Sequence, residues 1–594
     1  MPNLQGVTVP GLPPVTSHIH VDQFGYLPDE AKVAVISDPI RGFNAGDHFA
    51  PGPNLELCRA ADRTVVFGGP VELRDGGAVD AISGDRGWWF DFGAVRQPGR
   101  YYVFDRQSGL RSPVFRIGAD VFDPILRAAV RVFFYQREAI AHAAPNADAP
   151  WQDGPSFLQD GETHAVWAGQ DASTERDLRG GWADAGDTNK YPPFLGEVIH
   201  PLLYAWQANP AVFTDDFNLP ESGNGLPDLL DEVKWELDWL MKMQDADGGV
   251  FIKMGMASNA GAERANSPYS RDRHPRFYAP KCSASTIMTA GVLAHASRVY
   301  AAFGPWKGYA AQLRVRAELA WEWYRSHPRS YDCDTHAVLS GLANLSPAEQ
   351  DAAEAIAGLH LWKLTGEARY HDAFRAKVGS LRQLSQPGWA PYWMGAAEAL
   401  FEYLKSPGAD GATCARITQA YQAALRTPFF IPQNNSDELY RAWMPASAYH
   451  WGSNRTRACF GLAALHGADS GLGGPLNGWL RQHALNELHA LHGVNPFSLV
   501  YLTNMSRFGA ELSASRIYHE WFGEAPPPGY LAGGPNRDYD GSLEWVRQQP
   551  PAKAYVEAIN APEVRSYELT EPGIYYQATY VRLLTAFTAQ AAAR

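Results

Sequence analysis

The chain predicts a small all-β sandwich followed by a large all-α domain, and three observations carry that class. Residues 18–118 break into short β-rich runs separated by turns. From Phe122 onward, apolar residues recur at helical spacing between loops rich in Gly, Pro, Asn and Trp. No strand alternation interrupts the helices, which argues against a parallel α/β sheet. They read as helical hairpins closed into a ring, with function-bearing loops gathered at one end.

In chain order, residues 1–17 are a proline-punctuated tail. In the β-rich segment, Ile19-His20-Val21-Asp22 alternates and Lys32-Val33-Ala34-Val35-Ile36 is a β-prone run. Arg100 to Phe104 and Pro113 to Ile117 close the segment. A module of this size fits a sandwich that binds, spaces or buttresses, and nothing in it looks catalytic. Residues 119–594 are the helical domain. Its clearest helix is Pro227 to Gln244, with Pro227 as a first-turn proline. There Leu229, Leu230, Val233, Leu237, Leu240 and Met241 form a stripe opposite Asp231, Lys234, Asp238 and Lys242. Further helices are expected at Pro124–His142, Ser283–Phe303, Lys307–His327, Pro347–Leu364, Tyr370–Ser385, Ala396–Tyr403, Ala412–Leu425, Thr456–Ala468, Gly478–Leu491 and Tyr575–Ala593.

Composition narrows the partners. A net charge of −13 with no basic cluster argues against nucleic acid and against an anionic membrane. No run of about 18 apolar residues marks a membrane span. Met1 to His18 shows no charged start followed by an apolar run, so no signal peptide is visible, which points to the cytoplasm unless a leader was removed. The five cysteines are scattered without zinc spacing and read as free thiols, as suits a reducing compartment. The 19 tryptophans and 27 tyrosines supply flat apolar faces on which a pyranose can stack, although a large helical core needs bulky residues as well.

One stretch stands apart. Gly180-Gly181-Trp182-Ala183-Asp184-Ala185-Gly186-Asp187 sets two carboxylates three residues apart between glycines, with Tyr191-Pro192-Pro193 soon after. A loop of this composition displays its aspartates and can aim both at one water molecule, which is what acid/base chemistry needs. Taken alone, an Asp-x-Gly-Asp reads equally as turn aspartates bonded to nearby amides.

The company it keeps carries a resemblance. The stretch is similar to the G-G-W-Y-D-A-G-D block of the family-9 glycoside hydrolases, the inverting cellulase family. Pro220 to Glu232, Asp247-Gly248-Gly249-Val250, Tyr449 to Asn454, Gly493-Val494-Asn495-Pro496 and Gly533-Gly534-Pro535-Asn536 fall in the family's order. The resemblance implies an Ig-like domain ahead of an (α/α)6 barrel. By the same resemblance, Tyr567-Glu568-Leu569-Thr570-Glu571 matches the family's Tyr-x-x-Asn-Glu. That makes Glu571 the general acid and Asp187 the general base, with Asp184 helping to hold the water. Inversion needs one protonated and one ionised carboxyl group on either side of the sugar. The apolar company of Glu571 would keep its proton available.

The sequence also departs from the family. Ala183 replaces an aromatic and Thr570 replaces an asparagine. The family's sugar-binding His-His-Arg block reads Ser515-Arg516-Ile517-Tyr518-His519-Glu520-Trp521. Arg516 and His519 contact sugar or are structural, and Glu520 is an added acid suited to an amino sugar. Tyr567, His450 and Trp451 complete the expected substrate contacts. The expected activity is therefore exo-acting, inverting hydrolysis of β-1,4 linkages in short gluco- or glucosamino-oligosaccharides, as in the exo-acting members that the family resemblance implies. The alternatives are an endo-β-1,4-glucanase, a fold-preserving carbohydrate-binding protein, and a polysaccharide lyase, which the acidic balance disfavours. No cofactor is required. Asp215, Asp216, Asp245 and Asp247 offer oxygens for a structural calcium, although solvated turn acids explain them more simply.

Overall fold

The computed structural model describes residues 11–257, 267–389, 391–432, 438–519, 521–522, 525–558 and 562–589. Ten short strands build the N-terminal unit: β1 Ile19–His20, β2 Gly25–Tyr26, β3 Val33–Pro39, β4 Asn54–Arg59, β5 Val65–Pro70, β6 Glu72–Leu73, β7 Asp85–Asp91, β8 Gly99–Asp105, β9 Leu110–Arg111 and β10 Phe115–Ile117. They form two sheets, β1-β3-β7-β6 and β2-β10-β8-β4-β5, with β9 on β8. Alternate residues turn inward, so Ile36, Leu55, Leu57, Phe90, Phe92, Val103 and Phe115 meet in one core between the sheets. This is the expected Ig-like sandwich.

Twelve helices of ten residues or more follow among the described residues. They are α1 Asp123–Gln136, α2 Gly196–Ala208, α3 Asp228–Met243, α4 Ser283–Tyr300, α5 Lys307–Ser326, α6 Pro347–Thr365, α7 Ala368–Lys377, α8 Met394–Leu404, α9 Gly411–Ala424, α10 Ser453–Asp469, α11 Asn477–Leu491 and α12 Ile574–Thr585. The even-numbered helices pack side by side, α12 to α2 to α4 to α6 to α8 to α10 and back to α12, and each odd-numbered helix backs one of them. That closed double ring is an (α/α)6 barrel. Sixteen of the eighteen residues of α4 are buried, against seven of twenty in α5, which backs it. Inner helices therefore lack a polar face, and small residues such as Ala290, Gly291, Ala294 and Ala296 line α4.

Local signals set some of the ends. Ser346 and Glu349 form a reciprocal capping box ahead of α6, with Pro347 in its first turn. Gly366, at φ 77°, ends the same helix. The segments leading into inner helices are long, as at 137–195, 244–282, 327–346 and 492–573. Those leaving them are short, as at 301–306, 366–367 and 405–410. Functional loops thus gather at the N-terminal ends of the inner ring.

Several expectations need correction. Helix α1 stops at Gln136, not His142, because Arg137 turns extended and bridges to Trp182. Helix α2 was not expected; Pro201 inside it and its burial on nearly every side hide its periodicity. Pro227 caps α3 from outside. The Tyr370–Ser385 segment divides into α7 and a single turn at Arg382–Ser385, and α12 ends at Thr585. Cys282 and Cys333 are joined in a disulfide, leaving Cys58, Cys414 and Cys459 free. The two lie 51 residues apart but at the mouths of neighbouring inner helices, a proximity that spacing alone does not show. The argument from cysteines for a reducing compartment falls with that bond. No described helix is long and apolar enough to cross a membrane.

The sandwich is bolted to the barrel by buried polar contacts. Arg111 forms a two-pronged pair with Glu511 at 2.9 and 3.0 Å. Gln23 accepts the amides of Glu511 and Leu512 and donates to the Ser498 carbonyl. Asp22 accepts from Nδ1 of both His489 (2.7 Å) and His492 (2.9 Å). Burial opposes charge on His489, but Glu30 and Asp22 outweigh it and carry its pKa up to about 9. This charge contributes stability that is fully present below the unfolded pKa of about 6.5 and is lost as pH rises through the folded value. The difference in Tm between the wild type and His489→Gln should therefore shrink between pH 6.5 and pH 9.5 in thermal melts; a constant difference would contradict this assignment.

Candidate active site

The 180–187 loop is held from three sides. The Gln136 side chain donates to the carbonyls of Ala183 (2.9 Å) and Ala185 (3.0 Å), and the Gln136 backbone carbonyl accepts the Ala183 amide. The Trp182 amide donates to Glu236 on α3 at 2.6 Å. The Ile574 amide, at the start of α12, donates to the Asp184 carbonyl at 2.9 Å. Two glycines permit this packing: a Cβ on Gly181, which has φ 75°, would stand 2.7 Å from the Trp239 indole, and one on Gly186 would stand 2.3 Å from the Tyr518 carbonyl.

Three carboxyl groups converge there. Asp184 is buried, contrary to the expectation that both aspartates are displayed, while Asp187 and Glu571 are partly exposed. Glu571 lies near enough to the Gly186 amide and the Trp451 side chain for both to favour its charged form. Burial pushes the Glu571 pKa well above the usual carboxylate range, and the charges of Asp187 and Asp184 push it further. Burial, then Asp187 and Glu236, does the same to Asp184. Burial raises Asp187 too, but Ser340, the Asn189 amide, the Tyr191 hydroxyl (3.1 Å) and Lys253 oppose it. The pKa values of all three carboxyl groups are raised, that of Asp187 less than those of Asp184 and Glu571, an ordering that suits a base beside a proton donor in inverting hydrolysis.

Of the expected substrate contacts, His450, Trp451 and Tyr567 lie along one row of rings. The row runs Trp393, Tyr392, His450, Trp451, Tyr567, Tyr518, with ring spacings of 5.7 Å, 5.7 Å, 5.1 Å and 5.5 Å at its non-sequential and terminal steps. Trp451 is 42% exposed, so its ring face is open to a ligand. Next to the row, a cavity of about 310 Å³ is lined by Tyr575, Arg455, Glu197, Trp393, Phe194 and Ile356, among others.

Arg516 engages Glu557. His519 is corrected from sugar contact to support. It is buried, its Nδ1 accepts the amides of Trp521 (3.1 Å) and Phe522 (3.4 Å), and its Nε2 therefore donates to Gln136 Oε1 at 2.9 Å. Burial brings its pKa down to about 3, so it stays neutral. Glu520 lies outside the described residues. Sequence reasoning missed Asn189, Tyr191, Lys253 and Ser340 around Asp187. Asn189 and Tyr191 adjoin the loop, but Lys253 and Ser340 come from distant segments and carry no local signal.

Two clusters bear on metals. His200, His295 and His360 sit buried within ligand distance of one another. Their rings stack at 4.3–5.2 Å, so the in-plane lone pairs run nearly parallel, and Arg298 adds positive charge. They read as a packed core stack. Asp215, Asp228 and Asp231 form the other cluster, in which one oxygen each of Asp228 and Asp231 is buried without a partner. Burial lifts the pKa of Asp228 to about 6 and that of Asp231 to about 7, as expected of carboxylates crowded around a cation position. Of the other acids expected to hold calcium, Asp216 pairs with Arg127, and Asp245 and Asp247 pair with Lys281.

Fold and carboxylates together define a glycosidase of the helical-barrel class. The model of glycosyl hydrolase family 9 matches residues 122–584, and that of the cellulase N-terminal ig-like domain matches residues 15–108. The chain belongs to glycosyl hydrolase family 9 and is an inverting glycoside hydrolase. It is similar to a xyloglucan-specific endo-β-1,4-glucanase of Bacteroides ovatus, 26% identical over 608 residues that cover 96% of this chain and 94% of the relative. A cellodextrinase of Butyrivibrio fibrisolvens is 24% identical over 585 residues, covering 95% and 98%. The crystal structure of a metagenome-derived family-9 endoglucanase superposes with a TM-score of 0.78 at 29% identity, covering 96% of this chain and 98% of that one.

Gln136→Leu removes the donor to two buried carbonyls, which costs about 1–3 kcal/mol for each group left unpaired. Denaturant unfolding should show that loss, together with a fall in kcat as the loop slackens; unchanged stability and turnover would contradict the supporting role of Gln136.

Proposed function

We propose that the chain is an endo-β-1,4-glucanase in which Asp187 is the general base and Glu571 the general acid. A water held between Asp184 and Asp187 gives its proton to Asp187 as its oxygen attacks the anomeric carbon. Glu571 passes its own proton to the leaving glycosidic oxygen, and the product anomer is inverted. The aromatic rings around Trp451, which is exposed and neighbours Glu571, support the endo reading by offering stacking faces to a sugar chain. The exo-acting, amino-sugar expectation is the less supported of the two: its acid, Glu520, lies outside the described residues, and His519 faces Gln136 in the interior. The relatives named endoglucanase favour the endo reading.

On soluble β-1,4-glucan the account predicts a steep fall in viscosity while few reducing ends have appeared. Steady release of short sugars at nearly constant viscosity would overturn it in favour of exo action.

We also propose that the Asp215, Asp228 and Asp231 cluster takes a structural calcium, its unpartnered oxygens being the support. Calcium should then raise Tm in the wild type but not in Asp231→Asn, and an equal response in both would contradict this site.

A further inference from the structure

Lys253 lies beside the short strand Met254–Met256, and its side chain is fully buried. Its Nζ donates to the carbonyls of Val338 (3.0 Å) and Gly341 (2.8 Å) and pairs with Asp334 at 3.3 Å. Three acceptors use all three protons of an ammonium, which a neutral amine could not satisfy. All three come from residues 334–341, the segment whose Ser340 side chain favours the charged form of Asp187. Asn189 ties the same segment to the catalytic loop. Its side chain donates to the Leu339 carbonyl at 3.2 Å, while its amide donates to Asp187 at 3.3 Å. The ammonium also stands 5.1 Å from the centre of the Tyr191 ring, and the Tyr191 hydroxyl donates to Asp187 at 3.1 Å.

We propose that Lys253 is a positioning residue for the general base: its ammonium fastens residues 334–341 over the catalytic loop and sets a positive charge behind the Asp187 carboxylate. The proposal rests on Asp187 being the base. Asp187 faces Asp184 from its own loop, Glu571 from the segment ahead of α12, Tyr191, and Ser340. Lys253 faces Asp334, Asp187 and Asp184, and it is the cation that bears on both aspartates. The contribution of Lys253 to Asp187 is favourable to the charged form, so removing the ammonium makes the base easier to protonate.

The test is the pH dependence of kcat/KM on soluble β-1,4-glucan for the wild type, Lys253→Met, Lys253→Arg and Ser340→Ala, with Tm for each. Lys253→Met should lower kcat roughly 10- to 100-fold with KM nearly unchanged. Its acidic limb should move to higher pH by about one unit, and Lys253→Arg should restore the limb. Ser340→Ala should shift the limb the same way, by less. An acidic limb that stays put in Lys253→Met, or a loss confined to KM, would overturn the proposal. Should Lys253→Met fail to fold, an unmoved limb in Ser340→Ala would overturn it. Asp187→Asn separates the two claims: wild-type turnover in that variant defeats the base assignment itself, whereas an inactive Asp187→Asn beside an unmoved Lys253→Met limb defeats only the role of Lys253.

Discussion

Asp184, Asp187 and Glu571 repel one another inside a poorly hydrated crevice, and much of the surrounding structure answers that repulsion. Left alone, three carboxyl groups so placed would all bind protons, and no base would remain. The protein breaks the symmetry by unequal solvation. Ser340, Tyr191, the Asn189 amide and the Lys253 ammonium favour the charge of Asp187, whereas at Glu571 burial and the charges of Asp187 and Asp184 outweigh the Gly186 amide and Trp451. One member of the set can then accept a proton while another can give one away.

Holding that arrangement needs a loop that cannot relax. Like charges would drift apart on a free segment, so the 180–187 loop is pinned by Gln136, Glu236 and Ile574. Each pin is itself held. His519 and Tyr530 fix the Gln136 carbonyl oxygen, and Arg137 turns away from α1 to pair with Glu232 and Glu221. The Cys282–Cys333 bond anchors the 334–341 segment one residue ahead of Asp334. Farther out, the sandwich presses on the segment between α11 and α12 through Asp22, Gln23 and Arg111, and that segment leads to Glu571. The Ig-like domain thus acts as a buttress for the barrel mouth.

Much of this was legible in the sequence. The β-rich opening, most of the helices and the 180–187 loop announce themselves through alternation, an amphipathic stripe and glycine-flanked acids, whereas Glu571 stands out only through the family resemblance. Helix α2 was hidden because Pro201 falls inside it and Pro192-Pro193 just ahead of it, residues that read as loop. The roles of Lys253 and Ser340 and the Cys282–Cys333 bond depend on contacts between distant segments, which no local pattern encodes. His519 was left open between sugar contact and a structural role, because residue type does not show that its position is decided by the buried amides of Trp521 and Phe522.

The most direct measurement is the pH profile of kcat/KM on soluble β-1,4-glucan for the wild type beside Glu571→Gln and Asp187→Asn. The account predicts a bell in the wild type whose alkaline limb disappears in Glu571→Gln while the residual acidic limb remains. Loss of the acidic limb in Glu571→Gln, with the alkaline limb intact, would mean that the two carboxyl groups have the opposite roles.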